Sequence, residues 1–541
     1  MTKKVVMGWI RIIRGLARVL AFALTLGNLP AQAETPPNIL VIAARLDGIT
    51  TLDPQEAIGA ASADLLNNIY GGLVAFDPAD SSKGAVPDIA ESWDVSDDGR
   101  VFTFKIRPGL SFASGNPVTA EDVAFSLRRA VAMNRAGAPI LTQFGLTADN
   151  MEETLVAGDD MTFRLTTDQP YAESLVLNSL TATVARIIDR ALVKPRAQGS
   201  DWGSGLLRKR ASGSGPYRLV TWTKGQSYTL DANPGYWRGT PAMARVIVRH
   251  SVKSESQRLL LERGDVDIAR NLAPEDLNAV ASDPALAIDS GPRGRILYLA
   301  LNQKHPVLSD PKVREALKYL VDYRGLAETA LAQRFRVHQS FIPTGQLGAL
   351  DQAPYALDVA KAKTLLAEAG YGDGFAVELI LRDAGEVTAI AESLQKTFAE
   401  AGIILVANIG DAAEVLARYR GREFDIYFGA WDTGLPDPDG NARAFAHNPD
   451  NSDEANLTAK LAWRVGWDIP EMTQLTDMAA AERDPAKRAQ LYLDLQRAWQ
   501  LDAPFVPMFQ SIARTARRAN VSGFRTAGSV SAAAYWAVAK E

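Results

Sequence analysis

Two predicted strands end in residues that are suited to binding a small polar molecule. Residues 377–381 and 424–428 are apolar runs typical of buried strands, and each continues into polar or aromatic residues. Arg382 follows the first run, and a loop over residues 431–439 follows the second. Ligands of open α/β sheets bind beyond the carboxyl ends of strands, and a guanidinium there holds a carboxylate in a bidentate pair. The pattern predicts a recognition site, with an ordinary surface role for Arg382 as the alternative.

No sequence pattern points to catalysis or to a metal. There is no Walker loop, dinucleotide glycine fingerprint, HExxH or GxSxG. Residues 437–441 place oxygen donors at alternate positions, but Ala442 and Asn448 stand where a calcium loop needs glycine and glutamate, so we predict a turn. Scattered histidines are more often structural than ligating. The four histidines are His250, His305, His338 and His447. We expect no catalytic residue, no metal and no cofactor.

The N-terminal segment predicts export. Basic residues precede the apolar run 19–26, and Ala31 and Ala33 supply a small-residue cleavage motif. The run is much shorter than the roughly 20 apolar residues that cross a bilayer, which favours a cleaved signal peptide over residues 1–33 rather than a membrane anchor. The chain has no cysteine, so it lacks both disulfides and the lipid-modified cysteine that tethers many exported proteins. We expect a freely soluble periplasmic protein.

The chain length and the net charge indicate the number of lobes and exclude one kind of partner. The 541 residues exceed what one hydrophobic core organises, so two or more lobes are expected. The formal net charge of −5 argues against a nucleic-acid partner, because phosphate binding relies on a basic surface.

Helix and strand patterns alternate along the chain, which predicts an α/β fold. Thr119 and Asp122 have capping-box spacing at the start of a helix, and Asp310 before a proline begins another. Residues 359–370 carry an apolar stripe that stops at a glycine suited to a left-handed cap. Residues 217–222 read as a strand after a glycine-rich turn.

These motifs together resemble bacterial extracellular solute-binding protein family 5, the dipeptide-, oligopeptide- and nickel-binding proteins of ABC importers. The resemblance covers nearly the whole chain after the signal. The motifs that carry it are LDP at 52–54, PDIAESW at 87–93, TAEDV at 119–123, GSGPY at 213–217, NPGYW at 233–237, GDVDI at 264–268, VREAL at 313–317 and LLAEAGY at 365–371.

The resemblance implies a periplasmic-binding-protein-like α/β fold, with two lobes joined by a hinge and an additional domain inserted in the first lobe. A discontinuous domain I is expected to comprise residues 34–65, 211–292 and 515–541. Domain II would be inserted over residues 66–210, and domain III would span residues 293–514.

The resemblance also implies ligand contacts. Backbone groups of Ile58, Gly59 and Ala60, and of Ala430, Trp431 and Asp432, would pair with the main chain of an extended ligand. Core packing is the alternative interpretation for Trp431.

Peptide-binding members place an aspartate three residues after the tryptophan to bind the ligand ammonium, and this chain has Gly434. Asp432 or Asp437 would replace it, or the ligand lacks a free amino terminus. Arg382 would bind the ligand carboxylate.

The expected function is that of a monomeric, non-enzymatic receptor. It would capture peptides or peptide-like solutes and deliver them to an ABC permease that is driven by ATPase subunits. An oligosaccharide, an opine or a metal chelate remains an alternative ligand, with Trp431, Trp463 and Trp467 as possible sugar platforms. A secreted hydrolase of such compounds is a further alternative.

Overall fold

The computed structural model describes residues 35–77, 84–383, 385–432, 437–525 and 533–541. The predicted signal peptide and Gly434 lie outside the described residues. Helices and strands alternate along the rest of the chain, so the predicted α/β class is confirmed.

Nineteen strands are present in the described part of the chain. They are β1 Ile39–Ala44, β2 Val74–Phe76, β3 Ala85–Pro87, β4 Ala90–Val95, β5 Val101–Ile106, β6 Leu155–Asp159, β7 Thr162–Thr166, β8 Tyr217–Thr223, β9 Ser227–Ala232, β10 Arg245–His250, β11 Ile268–Ala269, β12 Leu286–Leu301, β13 Phe335–Val337, β14 Phe375–Arg382, β15 Ile403–Gly410, β16 Ile426–Trp431, β17 Phe505–Arg518, β18 Val521–Ser522 and β19 Ala539–Lys540.

The helices vary from one to five turns. They are Ala60–Ile69, Ala120–Met133, Pro139–Thr142, Met151–Thr154, Glu173–Leu180, Arg190–Val193, Ser204–Leu207, Ser254–Glu262, Pro274–Ala281, Pro311–Lys318, Tyr323–Glu328, Val359–Glu368, Val387–Glu400, Ala412–Arg420, Pro438–Phe445, Leu461–Arg464, Pro470–Ala481 and Pro485–Asp502.

The main sheet has eleven strands in the order β15-β14-β16-β12-β17-β11-β1-β10-β9-β8, with β13 paired to β17. Its two longest strands, β12 and β17, pair antiparallel along most of their length. The first half of β12 packs in one core, with Leu286, and the second half packs in another, with Leu297 and Leu299. The two strands therefore connect two lobes.

The hydrophobic cores divide in the same way. One core contains Leu40, Leu230 and Val521, from three distant parts of the chain. A second core lies between residues 73 and 187 around the antiparallel sheet β4-β5-β7-β6, with Ala480 as its one member from elsewhere. Ile188 packs in the first of these cores. The exact bounds of domains I, II and III stay a prediction.

A bulge interrupts the pairing of β12 and β17 where the strands pass between the lobes. Pro292 pairs with Ile512 and Ile296 pairs with Gln510, so three residues of β12 lie opposite one residue of β17. Bulges of this kind bend a strand and redirect side chains, and they are frequent beside binding sites.

The helix boundaries follow local chemistry. The backbone amide and the hydroxyl of Thr119 donate to the Asp122 carboxylate at 2.9 and 2.7 Å, which confirms the capping box. Asp310 accepts a hydrogen bond from the Lys312 amide at 2.8 Å, and Gly370 has φ 83°, as the predicted helix start and left-handed stop require.

The predicted turn at residues 437–441 is wrong, because these residues begin a helix. Asp437 is the N-cap of Pro438–Phe445, and its carboxylate accepts the Asp439 amide at 3.0 Å. The motif Asp-Pro serves a helix start as well as a turn, since proline at the first helical position loses no hydrogen bond.

Candidate functional site

The carboxyl ends of β14 and β16 lie side by side at one edge of a cavity. Arg382 is the last residue of β14, and Ala430 and Trp431 are the last two of β16. The two strands are parallel, so they end at the same edge of the sheet. The cavity has a volume of about 190 Å³, and its lining includes Arg295, Arg382, Glu386, Phe428 and Ala430. Two of the predicted site residues, Arg382 and Ala430, therefore line one cavity.

The Arg382 guanidinium has a polar but uncharged neighbour in Tyr427. Burial raises the pKa of the Tyr427 hydroxyl, whereas the charge of Arg382 and its hydrogen bond lower it. Within the described ranges, Arg382 has no acidic partner in an ion pair. The cation at the end of β14 is therefore available to an anion that enters the cavity.

Trp431 has both a structural and an exposed part. Its indole N–H donates to Asn441 Oδ1 at 3.2 Å, and its ring meets Phe445 edge-on at a centroid distance of 6.2 Å. The residue is only half-buried. Packing fixes one edge of the ring, and part of the residue stays accessible to a ligand.

Trp463 and Trp467 do not form an accessible aromatic platform. They are 4% and 6% exposed, and the Arg422 guanidinium covers the Trp463 ring at 3.7 Å from its centroid. Both tryptophans are buried, so neither offers a ring face to a sugar.

Asp432 and Asp437 differ sharply in accessibility. The Asp432 side chain is 65% exposed, and its Oδ2 lies 3.7 Å from Arg295 Nη1, beyond hydrogen-bond distance. Asp437 is buried, and both of its carboxylate oxygens are bound by Arg488, at 2.7 and 3.0 Å. Asn178 donates to the same carboxylate at 3.2 Å. Asp437 therefore holds the fold together, while Asp432 is free to exchange partners.

Ile58, Gly59 and Ala60 stand at the start of the helix Ala60–Ile69. Ile58 is 63% exposed, and Gly59 has φ 82°, which favours glycine. A Cβ at Gly59 would have no atom within 4 Å, so the backbone conformation rather than close packing accounts for the glycine. The backbone of this segment is open to a ligand.

The charge of Arg293, on the bulge of β12, interacts with carboxylates near both predicted backbone segments, residues 58–60 and 430–432. Arg293 is exposed on one side, but the protein around its guanidinium lowers its pKa by desolvation. Arg270 and Arg295 lower this pKa further, while Asp64 and Asp432 raise it. Asp64 belongs to the helix that follows Gly59, and it forms an ion pair with Arg270. Arg293 is thus within electrostatic range of Asp64, near the first predicted segment, and of Asp432, in the second.

Sequence reasoning missed Arg270, Arg293 and Arg295. The run Pro292-Arg293-Gly294-Arg295 carries a weak signal, since alternate arginines emerge on the same side of an extended strand. The bulge itself depends on pairing with residues about two hundred positions away, which no local pattern predicts.

His338 occupies a structural position. His338 is buried, its Nε2 lies 2.9 Å from the Ile342 carbonyl, and burial lowers its pKa to about 4. The described residues contain no cluster of three or more histidine, cysteine or acidic side chains that would hold a metal ion.

Comparison with known proteins identifies the family to which this chain belongs. Residues 84–453 match the family described as bacterial extracellular solute-binding proteins, family 5 Middle. The chain belongs to this family. It is 30% identical over 502 residues to the probable D,D-dipeptide-binding periplasmic protein DdpA of Escherichia coli K12, an alignment that covers 92% of this chain and 93% of that protein.

Two further relatives extend the comparison. The glutathione-binding protein GsiB of Salmonella paratyphi A is 26% identical, with 93% of this chain and 94% of that protein covered. The structure of HbpA2 from Haemophilus parasuis superimposes with a TM-score of 0.80 at 23% identity, over 93% of this chain and 100% of that one. The expected two-lobed, periplasmic-binding-protein-like fold is confirmed.

The family assignment sets the function at the level of class. The protein is a solute-binding protein of the kind that serves ABC importers. No helix in the described part of the chain is long and apolar enough to span a membrane.

Proposed function

We propose that this protein captures a peptide or a peptide-like small polar solute between its two lobes and delivers it to the permease of an ABC importer. The observation that carries the proposal is the shared cavity of Arg382 and Ala430, next to an accessible Asp432. The names of the dipeptide- and glutathione-binding relatives support the same ligand class.

The main chain of the ligand would be held by backbone groups of both lobes. Residues 58–60 supply exposed backbone on one side, and residues 430–432 supply the end of a strand on the other. Ala430 and Trp431 pair with β12 on one side, whereas the pairing of β16 with β14 ends at Tyr427. A strand edge without a neighbouring strand binds an extended peptide through main-chain hydrogen bonds and tolerates many side chains. Closure of the lobes on such a ligand gives the closed state its extra affinity.

The two ends of the ligand would be bound by charge. Arg382 binds a carboxylate in a bidentate pair, and Asp432 binds the ammonium. Asp432 is the better ammonium partner than Asp437, because the carboxylate of Asp437 is buried against Arg488. In this arrangement Asp432 takes over the role that Gly434 is unable to fill.

Delivery of the solute to a permease would require export of the protein. A signal peptide over residues 1–33 would be cleaved, and the released monomer would carry its solute to a permease with ATPase subunits. The protein itself would catalyse no reaction.

Titration calorimetry with L-alanyl-L-alanine and with glutathione tests the proposal. We expect Asp432→Ala and Arg382→Ala each to weaken binding by at least about tenfold, since a charge-assisted hydrogen bond contributes about 1.5–3 kcal/mol. Asp494→Ala is the matched control, because Asp494 is comparably exposed at 54% on the helix Pro485–Asp502. Unchanged affinity in both site variants would remove the assignment of these residues.

A further inference from the structure

The bulge of β12 carries two arginines whose guanidinium groups make few hydrogen bonds with the described protein. Arg295 Nε is buried and has no hydrogen-bond partner, and the nearest carboxylate oxygen of Asp432 is 3.7 Å from Arg295 Nη1. Arg293 is exposed to solvent, and its guanidinium makes no ion pair within the described ranges. A guanidinium has five N–H donors, so unmade hydrogen bonds in a cleft favour an anion that supplies them.

A glutamine side chain holds the backbone of the bulge in place. Gln510, opposite on β17, donates through Nε2 to the Arg293 carbonyl at 2.8 Å and to the Thr344 carbonyl at 3.2 Å. Its Oε1 accepts hydrogen bonds from the amide and the hydroxyl of Thr344, at 3.1 and 2.7 Å. The irregular backbone is thus tied to its surroundings by a buried glutamine. A bulge whose backbone is braced in this way fixes the points from which the two arginine side chains extend, which reduces the ordering that a ligand has to impose.

Two of the carboxylates near the bulge already have partners. Asp64, the carboxylate on the other side of Arg293, is already occupied, since one oxygen pairs with Arg270 and the other accepts the Ala533 amide at 2.8 Å. In the cavity beyond Arg295, Glu386 has a partner in Arg334 at 3.7 Å, while Asp383 is exposed. The positive charge of Arg293 therefore stays uncompensated by a close partner.

The position of Asp432 narrows the ligand class. Asp432 and Arg295 are close to each other but not hydrogen-bonded, so each is able to bind a ligand group of opposite charge. A free α-amino acid head provides two such groups, because its ammonium and its carboxylate are attached to the same carbon. The ligand ammonium would bind Asp432, and the ligand carboxylate would bind Arg295 and Arg293. A simple peptide amino terminus has an amide at that carbon and leaves the arginines unpaired.

We infer that Arg293 and Arg295 form a second anion-binding subsite, so that the solute is an acidic peptide-like compound with two carboxylates, one on a free α-amino acid head and one at the far end. The inference rests on the proposed function, because the far carboxylate is the one assigned to Arg382.

A matched pair of probes tests the subsite. γ-L-Glutamyl-L-alanine has both carboxylates, and its α-carboxamide lacks only the one beside the ammonium. We expect calorimetry to show the diacid binding at least about tenfold more tightly. Arg293→Gln and Arg295→Gln should remove that preference. Arg324→Gln, at an arginine that is 88% exposed on the surface, should keep it. Equal affinity of wild type for the two probes would overturn the inference.

A second measurement separates this inference from the proposed function. Glutarate, a small dicarboxylate without a peptide bond, should raise the thermal unfolding midpoint of wild type more than that of Arg293→Gln or Arg295→Gln. Absence of that difference overturns the subsite, whatever the peptides do. A glutarate effect without binding of glutathione, alanyl-alanine or the glutamyl probe upholds the subsite and contradicts the peptide function.

Discussion

Replacing Asp437 by asparagine separates the structural aspartate of the site from the recognition aspartate. Asp437 and Arg488 are each 1% exposed, and the carboxylate makes two hydrogen bonds with the guanidinium. Ser174 and Asn178, from the core region between residues 73 and 187, complete the contact, so the pair also joins two parts of the molecule.

The expected change in the free energy of unfolding follows from the burial of this ion pair. Asparagine keeps the shape and the ability to cap the helix Pro438–Phe445, but it leaves the Arg488 charge buried without a counter-charge. Removal of one partner of a buried ion pair costs about 3–5 kcal/mol. We therefore expect Asp437→Asn to lower the free energy of unfolding by about that amount, and Asp437→Leu with Arg488→Met to recover a large part of it.

Urea unfolding followed by tryptophan fluorescence measures the change. Asp432→Asn is the control, because the exposed Asp432 should lose ligand affinity with a stability change within about 0.5 kcal/mol. An Asp437→Asn protein that is as stable as wild type but binds ligand poorly would refute the reasoning, because Asp437 would then be a ligand residue.

Two further predictions concern the fold. Gly213→Ala should destabilise the protein by at least about 2 kcal/mol in the same urea assay, because a Cβ there would overlap the Ile69 carbonyl and approach Tyr70 Cα at 2.7 Å; a stability equal to that of wild type would contradict the close approach. Burial lowers the pKa of His338 to about 4 from 6.5, so the unfolded chain binds its proton first and stability falls as pH drops from about 6.5 towards 4. The loss amounts to about 3 kcal/mol, and His338→Gln should flatten this part of the stability profile, whereas an unchanged slope would show that the ring is protonated in the folded state.

Local sequence chemistry predicted much of the fold. The capping box at Thr119, the proline start at Asp310 and the left-handed stop at Gly370 depend on residues within four positions of one another, so they are legible in the chain. The strand over residues 377–381 was also predicted, because its apolar run is short and continuous; β14 extends it at both ends, to Phe375–Arg382.

The polar site was only partly predictable. Arg382 and Ala430 line the cavity as expected, but the loop that was predicted to begin at Trp431 begins one residue later, since Trp431 ends β16 opposite Ile296. Arg293 and Arg295 gain their positions from pairing between β12 and β17, which are about two hundred residues apart. Asp437 was predicted to be a turn residue, and its burial depends on the partner Arg488, which lies about fifty residues later in the chain.

Native mass spectrometry of the protein purified from the periplasm of its own cells tests the central claim most directly. The account predicts one small-molecule adduct per chain in wild type, with a fragmentation pattern of a peptide-like compound, and a loss of that adduct in Asp432→Ala and Arg382→Ala but not in Asp494→Ala. An adduct retained equally by all three variants, or conversion of the bound compound into a product, would contradict it.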